Sequence, residues 1–247
     1  MKIGIDIAMI APNQHRQIDP EAILLHTALF KHVKPSDADQ LIPHLHQLEY
    51  AKGDFIFRER DTDTRMFILE NGKVKLTRES HDGRIQLLSI HGPGEVLGEI
   101  PVFDPEGGPR TASAVAMKDE TVTVSLSHEA LLKWLDDHPE VAVSMLQVLA
   151  HRMRRNNEKI SDFVFMDVPG RLAKTLIDLA RRFGQPTEKG LLVPHDLTQE
   201  ELAQLVGTSR ETVNKALMDF TNRGWIARDG RTIIIYRPGK LILRSKH

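Results

Sequence analysis

The run LTQEELAQLVGTSRETVNKAL, residues 197–217, constrains this chain more than any other segment. It reads as two helices joined at Gly207-Thr208-Ser209. Thr198 and Glu201 have the spacing of a capping box, with Leu197 and Leu202 placed as its hydrophobic staple. Leu202, Ala203, Leu205 and Val206 form the inward side of the first helix. Gly207 supplies the permissive backbone that the turn needs. In the second helix Val213, Ala216, Leu217 and Phe220 recur at helical spacing and face inward. Arg210, Glu211, Asn214, Lys215 and Met218 are left on the opposite face. Any antiparallel helix pair shows such a period. A polar face carrying Arg, Glu and Lys suits the major groove, where each base pair presents its own donor and acceptor pattern. The segment is a helix-turn-helix that reads double-stranded DNA. Behind it, WIARDGRTIIIY (residues 225–236) places two apolar runs around Asp229-Gly230, a hairpin signal. A hairpin after a recognition helix is the wing of a winged helix.

The charge distribution agrees. Net charge is −1, but residues 168–247 hold 14 Lys and Arg against 8 Asp and Glu. That C-terminal stretch is basic and the remainder acidic, as expected if only one end meets phosphates. The 247 residues suffice for two domains. With no cysteine, disulfides, thiolate catalysis and Cys-held metal centres are excluded. No apolar run is long enough to span a bilayer, and the start lacks a signal-peptide pattern. A soluble, cytoplasmic protein with no membrane partner is expected.

Along the chain, residues 1–20 read as an N-terminal extension, and 21–30 and 36–48 as short helices. From Glu49 to about Ser127 the pattern becomes short strands. Asn71-Gly72 and Asp82-Gly83 are hairpin signals, and Gly53, Gly92 and Gly94 mark further turns. Many short strands at this spacing predict a rolled antiparallel β-structure. His138-Pro139 begins a long helix in which Val143, Leu146, Leu149, Met153, Asn156, Ile160 and Phe163 step by three or four residues. So long a seam between two domains predicts a homodimer interface. Residues 167–170, Asp-Val-Pro-Gly, interrupt the helix as a hinge. Another amphipathic helix follows over 171–183, then an exposed loop at 184–190. The domains expected are an extension (1–20), a β-roll (21–138), a dimerisation helix (139–166) and a winged helix-turn-helix (167–247).

The second informative run is GEVLGEIPVFDPEGGPRTASA, residues 94–114. It brings Glu99 close to Arg110-Thr111 across a Gly/Pro-rich loop. Arg110 offers a forked donor array to a phosphate, and Thr111 a hydroxyl and a backbone N–H. Glu99 can accept from a sugar hydroxyl. A structural salt bridge fits the same charges equally well.

The ordered motifs GEI (98–100), PRTASA (109–114), FMDVPGR (165–171), LTQEE (197–201) and GTSRETVNK (207–215) resemble the CRP/FNR superfamily of bacterial transcription regulators. The likeness runs from about Leu24 to Tyr236 and is greatest to the GlxR-like actinobacterial branch of cAMP receptor proteins. It implies an α+β fold: a jelly-roll-like cyclic-nucleotide-binding β-roll, a long dimerisation helix and a C-terminal winged helix-turn-helix. By the resemblance Glu99 binds the ribose of cAMP, and Arg110 and Thr111 bind the cyclic phosphate. Gly98, Ile100 and Pro101 shape the turn around the phosphate, and Ser89 lies near the base. Asn156 and Asn157 stand where two polar residues, one from each subunit, read the adenine amino group. The first is usually Thr, and Asn can still donate and accept there. A buried Asn in a helical seam also serves to fix register.

On the DNA side the resemblance gives Arg210, Glu211 and Lys215 the base-reading positions. Thr198, Ser209 and Thr212 are placed for phosphates. It implies a palindromic site similar to TGTGA-N6-TCACA. The loop at 184–190 is placed to touch RNA polymerase. Gly92-Pro-Gly94 lacks the βαβ context of a dinucleotide loop. His44 and His46 lack the acidic or Cys neighbours of a metal site. No nucleophile elbow is present, so an enzyme is not expected. The rivals within this fold are a haem or gas sensor using His81 or His91, and a regulator that acts without any effector.

Overall fold

The computed structural model describes Thr27 and residues 39–246, except 105–107. The extension at 1–20 and, Thr27 apart, the helix expected at 21–30 lie outside the described residues.

A short 3-10 turn, Ile42–His44, leads into β1 (Leu45–Tyr50). Then come β2 (Phe55–Phe57), β3 (Met66–Asn71), β4 (Val74–Glu79), β5 (Ile85–His91) and β6 (Val96–Leu97). A single-turn helix α1 (Ile100–Phe103) precedes β7 (Ser113–Ala116) and β8 (Thr121–Leu126). These strands form two antiparallel four-stranded sheets, ordered β1-β8-β3-β6 and β2-β7-β4-β5. β3 shows why they stack. Met66 and Ile68 join the apolar cluster that holds Leu131, Trp134, Val141 and Met145. Phe67 and Leu69 point the other way, into a cluster with Phe57, Val74, Leu97 and Ala114. A period of two thus covers one sheet on both faces.

Two expectations are corrected here. Residues 45–48 of the helix expected at 36–48 belong to β1, which pairs with β8 along its full length. The spacing of Leu45 and Leu48 fits a helix, but Pro43 closes only a 3-10 turn with no side-chain cap, and sheet pairing takes the rest. Asn71-Gly72 does turn the chain, with Gly72 at φ +92°. The strands it joins, β3 and β4, lie in different sheets, so the turn is a corner and not a hairpin. Asp82-Gly83 is a true hairpin between the paired β4 and β5.

Helix α2 (His128–Asp137), capped by Ser127, buries Leu131 and Trp134 on the roll. α3 (Pro139–Phe165) is the long helix. Val141, Ser144 and Met145 face the roll. Val143, Leu146, Met153, Ile160 and Phe163, all in the expected seam, are at least half exposed. α3 ends at Met166, whose backbone is extended, and Asp167 caps α4 (Val168–Phe183) by accepting from Gly170 N at 2.9 Å.

The last module contains β9 (Gln185–Thr187), β10 (Gly190–Pro194), α5 (Gln199–Val206), α6 (Arg210–Asn222), β11 (Ile226–Asp229), β12 (Thr232–Ile235) and α7 (Pro238–Arg244). The expected loop at 184–190 is a correction too. Residues 185–189 are exposed, but Gln185–Thr187 pairs with β10, giving a four-stranded wing sheet ordered β11-β12-β10-β9. Pro186 is tolerated because β9 is an edge.

The two units share a core. Leu87, Ile90 and Met117 of the roll belong to the same apolar cluster as Leu172, Leu202, Leu217 and Phe220. Ion pairs surround it: Lys73 to Asp196 at 2.6 Å, Lys75 to Glu201 at 2.6 Å and Arg182 to both carboxylate oxygens of Glu95.

Candidate effector site and nucleic-acid interface

Gly98 turns between β6 and α1 at φ +71°, where a Cβ would stand 2.3 Å from Arg110 Nη1. Backbone and space both require glycine there. The absent side chain lets Arg110 tuck under the turn. Its Nη1 donates to Gly98 O at 2.7 Å, its Nη2 donates to Arg65 O, and its guanidinium lies 4.4 Å from the centre of the Phe57 ring. Arg110 is 2% exposed, and its Nε is buried without a hydrogen-bond partner. The nearest carboxylate, Asp63 at 3.8 Å, is already engaged by Arg65. Here a buried cation keeps donor capacity that the protein leaves unused, and an anion is what matches it.

Glu99 follows at once, its carboxylate mostly buried. It is paired with Arg152 of α3, which donates through Nη1 to Glu99 Oε1 and through Nη2 to Val96 O. A cleft lined by Met66, Val96, Glu99, Met145, Val148, Leu149 and Arg152 lies between roll and helix. The structure therefore gathers Gly98, Glu99 and Arg110 in one place, with Pro101 buried, Ile100 exposed and Thr111 exposed beside Arg110. The alternative salt bridge between Glu99 and Arg110 does not form: Glu99 pairs with Arg152, and Arg110 bonds to backbone carbonyls. Sequence reading missed Arg152, although it sits one helical turn before Asn156 on the same stripe.

Asn156 and Asn157 are exposed, and their side chains make no hydrogen bond among the described residues. Arg152 and Lys159 of α3 both reach the roll, Lys159 through Leu88 O at 3.1 Å. Asn156 lies between them at helical spacing. Ser89 on β5 is bonded at 2.8 Å to His91 Nε2. His91 Nδ1 stands 2.8 Å from Glu95, so both ring nitrogens have neighbours other than a haem iron. Burial would raise the Glu95 pKa, yet His91 and Arg182 hold it down to about 2. His81 is exposed at the β4–β5 hairpin tip, and among the described residues no three metal-ligating side chains converge.

The helix-turn-helix itself is built as the sequence predicts. Thr198 Oγ1 accepts from Glu201 N at 3.1 Å and Glu201 Oε2 accepts from Thr198 N at 2.7 Å, which completes the capping box. Gly207 ends α5 at φ +72°, and Ser209 caps α6 by accepting from Thr212 N at 3.3 Å. Val213, Ala216, Leu217 and Phe220 are buried. Arg210, Glu211, Thr212, Lys215 and Met218 are exposed; among the described residues Arg210, Glu211 and Lys215 have no ion pair. Asn214 departs from this face by donating to Gln199 Oε1 at 2.8 Å, which braces α6 against α5. In the wing, Asp229 pairs with Thr232, so the two-residue loop is Gly230-Arg231.

Residues 47–138 match the family model of the cyclic nucleotide-binding domain, and residues 170–243 that of the Crp-like helix-turn-helix domain. The chain is 45% identical to the CRP-like cAMP-activated global transcriptional regulator of Mycobacterium tuberculosis, over 92% of its own length and all of that protein. The chain belongs to the CRP/FNR family of transcription regulators. It is 29% identical to the cAMP-activated global transcriptional regulator Vfr of Pseudomonas aeruginosa, over 86% of this chain and 97% of Vfr. The c-di-GMP responsive global regulator CLP of Xanthomonas campestris superposes with a TM-score of 0.70, over 82% of this chain and 99% of CLP. At 24% identity that last likeness is one of fold. As a CRP/FNR regulator the chain is not an enzyme. Among the described residues no helix is long and apolar enough to cross a membrane.

Proposed function

We propose that this chain is a cAMP-responsive transcription regulator that binds DNA as a homodimer. The observation that carries the effector is Arg110, a buried guanidinium with an unpartnered Nε beneath the Gly98 turn. Arg110 and Thr111 hold the cyclic phosphate, Gly98, Ile100 and Pro101 shape the turn around it, and Glu99 accepts from the ribose hydroxyl. Glu99 can accept through Oε2 while Oε1 stays with Arg152, so one carboxylate joins the ribose to α3. Asn156 and Asn157 take the base edge, with Ser89 near it. The cAMP-activated relatives in Mycobacterium tuberculosis and Pseudomonas aeruginosa support this effector.

The exposed seam of α3 packs against the same seam of a second copy, since so large an exposed apolar stripe marks an interaction surface. Two-fold symmetry then calls for a palindrome, similar to TGTGA-N6-TCACA. Arg210 reads guanine through O6 and N7, Glu211 accepts from a cytosine amino group, and Lys215 supplies a point charge. Thr198, Ser209 and Thr212 contact phosphates, which position the helix. The exposed β9–β10 edge is the surface on which to seek contact with RNA polymerase. The units proposed are the roll to residue 138, the dimer helix over 139–166 and the DNA module from 167. Calorimetric titration with cAMP, with cGMP as control, tests the effector. Selective binding that Arg110→Ala weakens is expected; equal affinities for wild type and variant would overturn the site.

A further inference from the structure

The end of α3, the start of α4 and the end of α5 meet at one side chain. Arg171, in the first turns of α4, donates through Nη1 to Met166 O at 2.9 Å, through Nε to Val206 O at 3.1 Å and through Nη2 to Gly207 O at 3.3 Å. Met166 caps the end of α3, and Val206 and Gly207 end α5. Carbonyls at helix C-termini lack intrahelical donors and carry the negative end of the helix dipole. One guanidinium thus satisfies two helix ends, and its planar fork suits three acceptors as a lysine ammonium does not.

The same place has no slack. The Arg171 guanidinium lies 5.1 Å from the centre of the Phe163 ring, in the last turn of α3. A Cβ on Gly207 would stand 2.1 Å from Phe163 Cε1. The turn of the helix-turn-helix therefore rests on the aromatic ring of the long helix. Lys174 of α4 adds a second brace to Asp162 at 2.6 Å. Neither Arg171 nor Phe163 belongs to the effector site or to the base-reading face.

We propose that Arg171 is the positioning residue that ties the pose of the recognition helix to that of the dimer helix, through Phe163 and the Gly207 turn. A change in tilt of the last turn of α3 moves Met166 O and the Phe163 ring. Arg171 carries that movement to Val206 and Gly207, and so to Ser209 and the start of α6. The two helix ends cannot shift independently while the fork is closed. This inference rests on the nucleotide-gated reading above. Coupling of this kind is a free-energy difference between states, not a contact with either ligand.

The experiment uses full-length wild type, Arg171→Ala and Arg171→Lys. Nucleotide affinity is measured by calorimetry, and DNA affinity with and without cAMP by fluorescence anisotropy. The expected result is nucleotide affinity within about twofold of wild type and a cAMP-dependent gain in DNA affinity reduced about tenfold in the alanine variant. The lysine variant should recover only a small part, because it keeps charge without the fork. An unchanged gain accompanied only by a lower melting temperature would show a merely structural residue and overturn the proposal. Amide hydrogen exchange of the nucleotide-free proteins gives a reading that needs no effector. Arg171→Ala should raise exchange at 163–166 and at 206–209 together, and a change at neither or at one alone overturns the coupling. A wild-type protein without any cAMP gain sinks the effector reading, while this exchange result still decides the role of Arg171.

Discussion

Arg110 is among the largest fully buried side chains, and a buried cation is costly unless its donors are matched. Replacing it by alanine removes donors from Gly98 O and Arg65 O as well as from an incoming phosphate. Nucleotide affinity should fall by about tenfold to a hundredfold, the worth of one charge-assisted hydrogen bond. Arg210, exposed and without an ion pair among the described residues, is the proposed reader of guanine. Arg210→Ala should cost about 1–3 kcal/mol of discrimination at its guanine and little nonspecific affinity, read by competition between site and mutated site. His195 gives a pH prediction. Burial pushes its pKa down from 6.5 to about 4, and its Nδ1 accepts from Leu197 N at 3.1 Å. The neutral ring is the folded form, so this contribution is complete above about pH 6.5 and is lost as pH falls toward 4. Its full size is about 3 kcal/mol. Urea melts between pH 7.5 and 5 should show stability falling with pH, and less steeply in His195→Gln. Equal slopes would remove His195 from the account. His91, also lowered by burial, keeps a slope of the same sign in that variant.

Among the elements, those with local signals were legible in the sequence. The capping box at Thr198 and Glu201, the glycine at 207 and the apolar stripe of α6 are all chemistry within a few residues. Thr198→Ala should therefore cost about 1 kcal/mol in thermal melting. Elements whose identity depends on distant partners were not legible. β1 is a strand because β8 lies beside it. β9 pairs with the adjacent β10, but its Pro186 and exposed residues give no strand pattern. The corner at Gly72 looks like a hairpin until β3 and β4 are seen to join different sheets. The site divides likewise. Gly98, Glu99 and Arg110 were legible from one run of sequence, whereas Arg152 comes from a helix remote in sequence. The seam of α3 was legible from its period. Ile160→Glu should disrupt dimers, read by sedimentation at micromolar concentration. A variant as dimeric as wild type would mean that the seam is not the interface.

At the scale of the molecule, the β-roll and the DNA module share one apolar cluster, so they should unfold together. The two tryptophans test this, since Trp134 packs on the roll and Trp225 against Phe220 of the DNA module. Single-tryptophan variants should melt at the same temperature, and separate transitions would mean that the shared cluster is weak. A shared cluster also gives nucleotide binding a route to DNA affinity, because a ligand shifts an equilibrium only by its preference between states. The most direct measurement is the affinity of the full-length protein for a palindromic duplex, by fluorescence anisotropy at one fixed salt concentration, with and without cAMP. The expected result is a gain of about tenfold or more with cAMP, absent with Arg110→Ala and small on a scrambled duplex. The same affinity with and without nucleotide would contradict cAMP gating and leave a regulator that binds DNA constitutively.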